Sequence, residues 1–303
     1  MNFGAKCSRP CKRSYSSGDF PRGLPAGGCV VLSVGGIEIS SVPVGRGCCE
    51  AEQARRGIMI IDEARREHHS AVTQLLQAII RQSEPFAARD VVADALLRFL
   101  TRACLTRRSI DVIVEHCLDS GANDACALLR CIWDAYIQAA YIVFEPSESA
   151  SRANSYRDYQ HVERRQLAHR VLDHDTPVSR DLKSRSGHDQ HQAAVEEEFE
   201  RAKSRFMSAK GKLWNKWYSE GLPGIAGKLG IAAEHDMLVW HLHGSVHSSY
   251  LTSSGPLLSI EYVPAWADFI TARIAHLSVS HNGFVLTESE RDFLESLAFH
   301  KFV

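Results

Sequence analysis

Between Asn123 and Phe144 the chain reads NDACALLRCIWDAYIQAAYIVF, a stretch too apolar to leave a solvent face if it is helical. Asn123 can cap the start, Asp124 suits the positive end of the helix dipole, and Pro146 cannot continue the helix beyond Phe144. Leu128, Leu129, Ile132, Trp133, Tyr136, Ile137, Ala140, Val143 and Phe144 then cover most of the circumference. What remains is one polar row at helical spacing: Cys126, Arg130, Asp134, Gln138 and Tyr141. A helix of this kind has to sit at the centre of a fold. An arginine and a carboxylate four residues apart on it must be paired and hydrogen-bonded, because an isolated buried charge is very costly.

The rest of the chain supplies more helices. Apolar stripes at helical spacing run from about Glu50 to Arg81, where RREHH is a polar interruption, then from about Pro85 to Thr106 and from Ser109 to Leu118. After the central helix, Ser147 to about His174 is helical with a thin apolar side, residues 175–187 read as a polar connection, and a charged helix follows from about His188 to Tyr218. Ser219 to Ile231 is expected to be a loop by its glycines and proline. Helices are expected again from Ala233 to Tyr250 and from Pro264 to His281, and Thr287 opens a capping box with Glu290 ahead of the last one. The reading is an all-α class, an irregular bundle of roughly eight helices around a buried central helix. No internal repeat of fixed period is present.

Residues 1–50 differ in kind, being rich in Gly, Ser, Pro and Cys and without helical period. They read as a poorly ordered tail, or as an extension ahead of a start near Met59, in which Cys29–Val34 and Ile37–Val42 have the pattern of a small hairpin around Gly35-Gly36. Residues 51–303 read as one helical domain. The near balance of 35 basic and 36 acidic side chains gives no global field toward nucleic acid or anionic membrane. The central stretch has the length of a membrane span but carries Arg130, Asp134 and Gln138, so a soluble protein is expected. Nine cysteines without a CxxC pair, and no signal peptide, point to a reducing cytoplasm. Cys104, Cys117, Cys126 and Cys131 are expected to behave as small hydrophobes. No P-loop, dinucleotide fingerprint or GxSxG elbow occurs, no cofactor is named, and WNKWY reads as helix packing.

His243 and His247 stand four apart on one helix face, with His241 turned away. Such a pair can hold a metal when a third ligand such as Asp134 arrives, can serve a metal-free polar site, or can be structural. Arg130 and Asp134 divide likewise between an intrahelical ion pair and a site in which Arg130 offers its fork of donors to an anion while Asp134 orients a histidine.

The order of ANDACALLRCIWDAYIQAAYI, SRANSYRDY, a tryptophan-bearing loop and LVWHLHGSVHSSY resembles an uncharacterised, mainly bacterial helical family, the domain of unknown function numbered five-six-seven-seven, over roughly Asp62 to His281. The resemblance places the family's features on Arg130, Trp133, Asp134 and Ala135, on Arg157, and on His243 with His247. The chain departs in having Asp134 where a glutamate is usual and His243 where a serine is usual, so no metal is assigned. A looser similarity is to the HEPN helical ribonucleases, through the spacing of Arg164 and His169. There a histidine acts as acid or base while an arginine steadies the phosphate.

Arg130, Asp134, His243 and His247 are therefore the candidate catalytic residues, and Arg157, Tyr141 and Gln138 the candidate ligand contacts. Arg130, Asp134, Arg157, His243 and His247 are expected to form one partly buried cluster for an anionic or phosphate-bearing ligand. A metal-independent ribonuclease acting on RNA, and a non-catalytic binding or regulatory module, are the alternatives.

Overall fold

The computed structural model describes residues 48–117, 121–208, 210–214, 216–247 and 260–299, with side chains described from 63 onward and not for 243–247. The described residues hold ten α-helices, two short 3-10 turns and one isolated bridge, Met207 with Leu213. The class is all-α. Packing divides the chain into two units, one of residues 1–46 with 302–303 and one of Gly47–Lys301. The first unit, with the hairpin considered for Cys29–Val42, lies outside the described residues.

Helix α1 (Cys48–Ala87) carries Pro85 in its final turn, so the break comes two residues after the proline. Asp90 then caps α2 (Val91–His116), its side chain accepting from the Val92 amide at 2.9 Å. Two helices were expected across α2, divided between Thr106 and Ser109, but it is continuous. Arg107 and Arg108 resemble a polar break, yet Arg107 points inward and is 1 % exposed.

Helix α3 (Ala122–Val143) is the expected central element. Its N-cap is Gly121 rather than Asn123. A Cβ on Gly121 would lie 2.4 Å from Ile113 Cγ2 and 2.9 Å from Cys117 Cβ, so the turn from α2 into α3 requires a residue without a side chain. Leu129, Ile132, Trp133, Ile137 and Ile142 are buried, and burial of each contributes roughly 1.5–3 kcal/mol. By length and composition α3 could cross a membrane, but it packs among α2, α8 (Ala232–His247) and α9 (Val263–Asn282). Of the four cysteines expected to be small hydrophobes, Cys126 is buried and Cys104 partly so, burial pushing the Cys104 thiol up to about 11. Cys117 and Cys131 are exposed.

Helix α4 (Pro146–Leu172) starts on Pro146. Arg152 closes the α3–α4 corner by donating to the Tyr141 carbonyl at 2.9 Å and pairing with Glu145. The expected polar connection contains a short helix, α5 (Pro177–Ser184), with a capping box between Thr176 and Ser179. The charged helix α6 (His188–Lys203) stops well short of Tyr218. A 3-10 turn at Ser204–Phe206 follows, and Gly211, at φ 71°, reverses the chain so that Leu213 bridges Met207. The expected loop after it includes α7 (Leu222–Lys228). The capping box of Thr287 and Glu290 starts α10 (Glu288–Ala298) as read from the sequence.

The core lies where α2, α3 and α9 meet, flanked by α1 and α8. This arrangement leaves the polar row of α3 facing α8 and the irregular segment between α6 and α7.

Candidate functional site

The row on α3 is a connected set. Arg130 Nε donates to Asp134 Oδ1 at 2.7 Å, and Gln138 Nε2 donates to the Asp134 carbonyl at 3.1 Å. Gln138 Oε1 in turn accepts the Trp217 indole N–H at 2.8 Å. Tyr141 ends the row, its ring 5.9 Å from that of Trp217 and 4.4 Å below the Arg152 guanidinium. The Arg130 and Asp134 side chains are 18 % and 32 % exposed, so the pair is open to solvent on an otherwise buried helix.

Helix α8 packs against α3 as expected, but the described imidazole at the pair is His235. Its Nδ1 accepts the Trp133 indole N–H at 3.1 Å, and the ring is 2 % exposed. Indole only donates, so Nδ1 must carry a lone pair and the neutral ring holds its proton on Nε2. Burial, then the Arg130 charge, hold the His235 pKa below the ordinary histidine range, and Asp134 opposes them. His243 and His247 belong to the last turn of α8. Their side chains, and so the expected meeting with Arg130 and Asp134, lie outside the described residues.

The third wall comes from the segment before α7, which sequence reasoning took for helix packing. Trp217 and Tyr218 are buried, and the Lys216 ammonium lies 5.5 Å from the Tyr218 ring centre. Burial raises the Asp134 carboxyl above the usual aspartate value despite the Arg130 charge and hydrogen bond and the field of Lys216. Burial and the nearby Asp134 push the Tyr218 hydroxyl up to about 12, with Arg130 opposing. Tyr218 therefore stays protonated at neutral pH. The signal available in the sequence was the run Lys216-Trp217-Tyr218, a cation and a phenol around an indole.

Arg157 does not join this cluster. It donates to Asn154 Oδ1 at 2.7 Å and contacts Asp158 at 3.3 Å. It also lines a surface hollow of about 430 Å³ with Arg89, Asp90 and Asp94 at the α1–α2 corner. Arg164 and His169, the spacing shared with the ribonucleases, tie α4 to α6: Arg164 lies 3.6 Å from Glu198, and His169 Nε2 lies 2.9 Å from Glu196, which also receives Arg165. Among the described residues no group of three His, Cys, Asp or Glu side chains is placed to hold a metal.

A second charged cluster, not anticipated from spacing, is buried where α1, α2 and α9 meet. Arg107 Nε pairs with Asp268, Nη1 donates to Thr73 at 3.0 Å, and Nη2 donates to His69 Nδ1 at 2.8 Å. His69 Nε2 lies 3.0 Å from Asp111, and His68 Nε2 lies 3.8 Å from Asp268. Both ring nitrogens of His69 are engaged, so the cluster clamps three helices together.

The model of a protein family of unknown function matches residues 93–257, just over half of the chain. No curated protein matches the chain, and no solved structure does. The matched span contains Arg130, Asp134, Lys216, Tyr218 and His235, whereas the second cluster depends on His69 and Asp268, which fall outside it.

Proposed function

The chain belongs to DUF5677, a family of unknown function, and from that premise we propose that it binds a small anionic, phosphate-bearing ligand at Arg130. The observation that carries this reading is the imbalance of donors over acceptors around a solvent-open ion pair. Arg130 is engaged through Nε alone among the described residues, which leaves the two terminal nitrogens of its fork for an oxyanion. Lys216 adds a second positive charge whose field reaches Asp134, its ammonium resting against the ring of Tyr218. Asp134 is the one carboxylate in the set. Such an arrangement suits recognition of an anion, with the buried Trp133–His235 pair holding α8 in place behind it.

The ribonuclease alternative has less support, because Arg164 and His169 are each held by a glutamate of α6. The test is a calorimetric titration of the full chain with orthophosphate, repeated on Arg130→Gln. Saturable binding by the native chain, lost in a variant that melts within a few degrees of it, is the expected result. No binding by the native chain, or equal binding by the variant, would overturn the reading.

A further inference from the structure

Resting on that anion-binding reading, we infer that Asp134 selects for a phosphate oxygen that still carries a proton: the ligand is orthophosphate or the monoanion of a phosphate monoester, and sulfate and phosphodiesters are excluded. The juxtaposition that assigns this is the Asp134 carboxylate set directly against the Arg130 guanidinium that would hold the anion. Asp134 uses Oδ1 to hold Arg130 Nε at 2.7 Å, and Oδ2 makes no hydrogen bond among the described residues. An anion that takes the terminal nitrogens of Arg130 shares that guanidinium with the Asp134 carboxylate, and the two anions become neighbours. A carboxylate can only accept, so it can meet an anionic oxygen favourably only if that oxygen brings a proton.

Orthophosphate and the monoanion of a monoester have a P–OH to donate. The second ionisation of a phosphate monoester falls near pH 6 (roughly), so the proton-bearing form is present at neutral pH and is further favoured by a waiting acceptor. Sulfate and dialkyl phosphates carry no proton there, and would set a bare oxyanion against Oδ2 in a half-buried site where the repulsion is weakly screened. The other polar groups do not alter this choice. Arg130 donates to either kind of anion, the Lys216 charge attracts both, and the Asp134 side chain is 32 % exposed.

The experiment is calorimetric titration of the full chain at pH 7 with orthophosphate, methyl phosphate, dimethyl phosphate and sulfate, repeated on Asp134→Asn, whose fold is checked by circular dichroism and melting. In the native chain orthophosphate should bind at least about tenfold more tightly than dimethyl phosphate and sulfate, the scale of one charge-assisted hydrogen bond, and methyl phosphate should tighten as pH falls from 7 toward 6 and its proton-bearing fraction grows. Methyl phosphate binding weaker than orthophosphate by more than the about tenfold that its proton-free fraction at pH 7 explains would identify free phosphate as the ligand, and a smaller difference a monoester. In Asp134→Asn, whose amide can donate, the preference should collapse through a gain in sulfate affinity. Equal affinity of the native chain for sulfate and orthophosphate would overturn the inference and leave anion binding intact. Loss of both anions in a folded Asp134→Asn would also overturn it, by reducing Asp134 to a support for Arg130. A native chain that binds none of the four would instead remove the anion-binding reading beneath it.

Discussion

The indole N–H of Trp133 donates to Nδ1 of His235 at 3.1 Å, and both side chains are buried. Because the indole has nothing but a proton to offer, an imidazolium at His235 would face it with a second donor. Burial and Arg130 already hold the ring's pKa below its ordinary value. In the unfolded chain the same ring takes its proton first as pH falls. The stability contributed by the neutral ring is therefore complete above about pH 6.5 and is lost as pH falls from there toward the folded-state value. The melting temperature should drop between pH 7 and pH 5. His235→Gln, whose amide oxygen can accept from Trp133 without titrating, should flatten part of the slope. His241 and His276, whose pKa values burial also lowers, contribute to the slope in the same direction. An unchanged slope in the variant would count against this assignment.

Asp134 has the opposite sign. Its folded-state pKa is raised, with burial as the largest cause, so its ionised form is held at neutral pH at some cost to stability. That contribution is most favourable below the unfolded aspartate value and is lost as pH rises through the folded-state value. Asp134→Asn keeps an acceptor for Arg130 Nε and removes the charge. It should melt at the native temperature or a few degrees above it, as happens where a polar group serves a site rather than the fold. Removing the cation instead leaves a half-buried carboxylate alone, so Arg130→Met should destabilise by about 1–3 kcal/mol. Denaturant titrations of the two variants should move in different directions.

The central helix was legible because its apolar residues leave a single polar row, and the final capping box because its two residues stand at the required spacing. Arg130, Asp134, Gln138 and Tyr141 were legible for the same reason, as was α8 as the helix facing them. His235 was not, because it sits at the start of α8 and its partner, the Trp133 indole, gives no spacing signal. Lys216 and Tyr218 were hidden by an assumed helix that ends at Lys203. Arg107 was misread as a helix break because its partners His69 and Asp268 are distant in sequence, and local pattern carries no trace of a pairing made in the folded chain.

Gly121 makes a sterically sharp prediction. Its φ of −91° is open to any residue, so the demand is for space and not for a special conformation. A methyl group there would overlap Ile113 Cγ2 and Cys117 Cβ. Gly121→Ala should cost about 1–3 kcal/mol by overpacking, and Ile113→Leu in the same chain should recover part of it, because leucine lacks the β-branch methyl that the new Cβ would meet. Chemical denaturation of the single and double variants measures both. A Gly121→Ala chain as stable as the native one would show that α2 and α3 separate there without cost.

The Arg107 cluster should behave as architecture. Arg107 and Asp268 are 1 % and 5 % exposed, and burial raises the Asp268 carboxyl despite the Arg107 charge beside it. Truncating one member strands the other in a medium that cannot solvate it, which typically costs about 3–5 kcal/mol. Arg107→Met should therefore unfold at much lower denaturant concentration than the native chain. The doubly apolar Arg107→Met, Asp268→Leu chain should recover much of the loss, because neither charge is then left alone. Since neither side chain touches Arg130 or Asp134, orthophosphate affinity in whatever fraction remains folded should be unchanged. A parallel fall in affinity at conditions where the variant is fully folded would show that the two clusters are coupled.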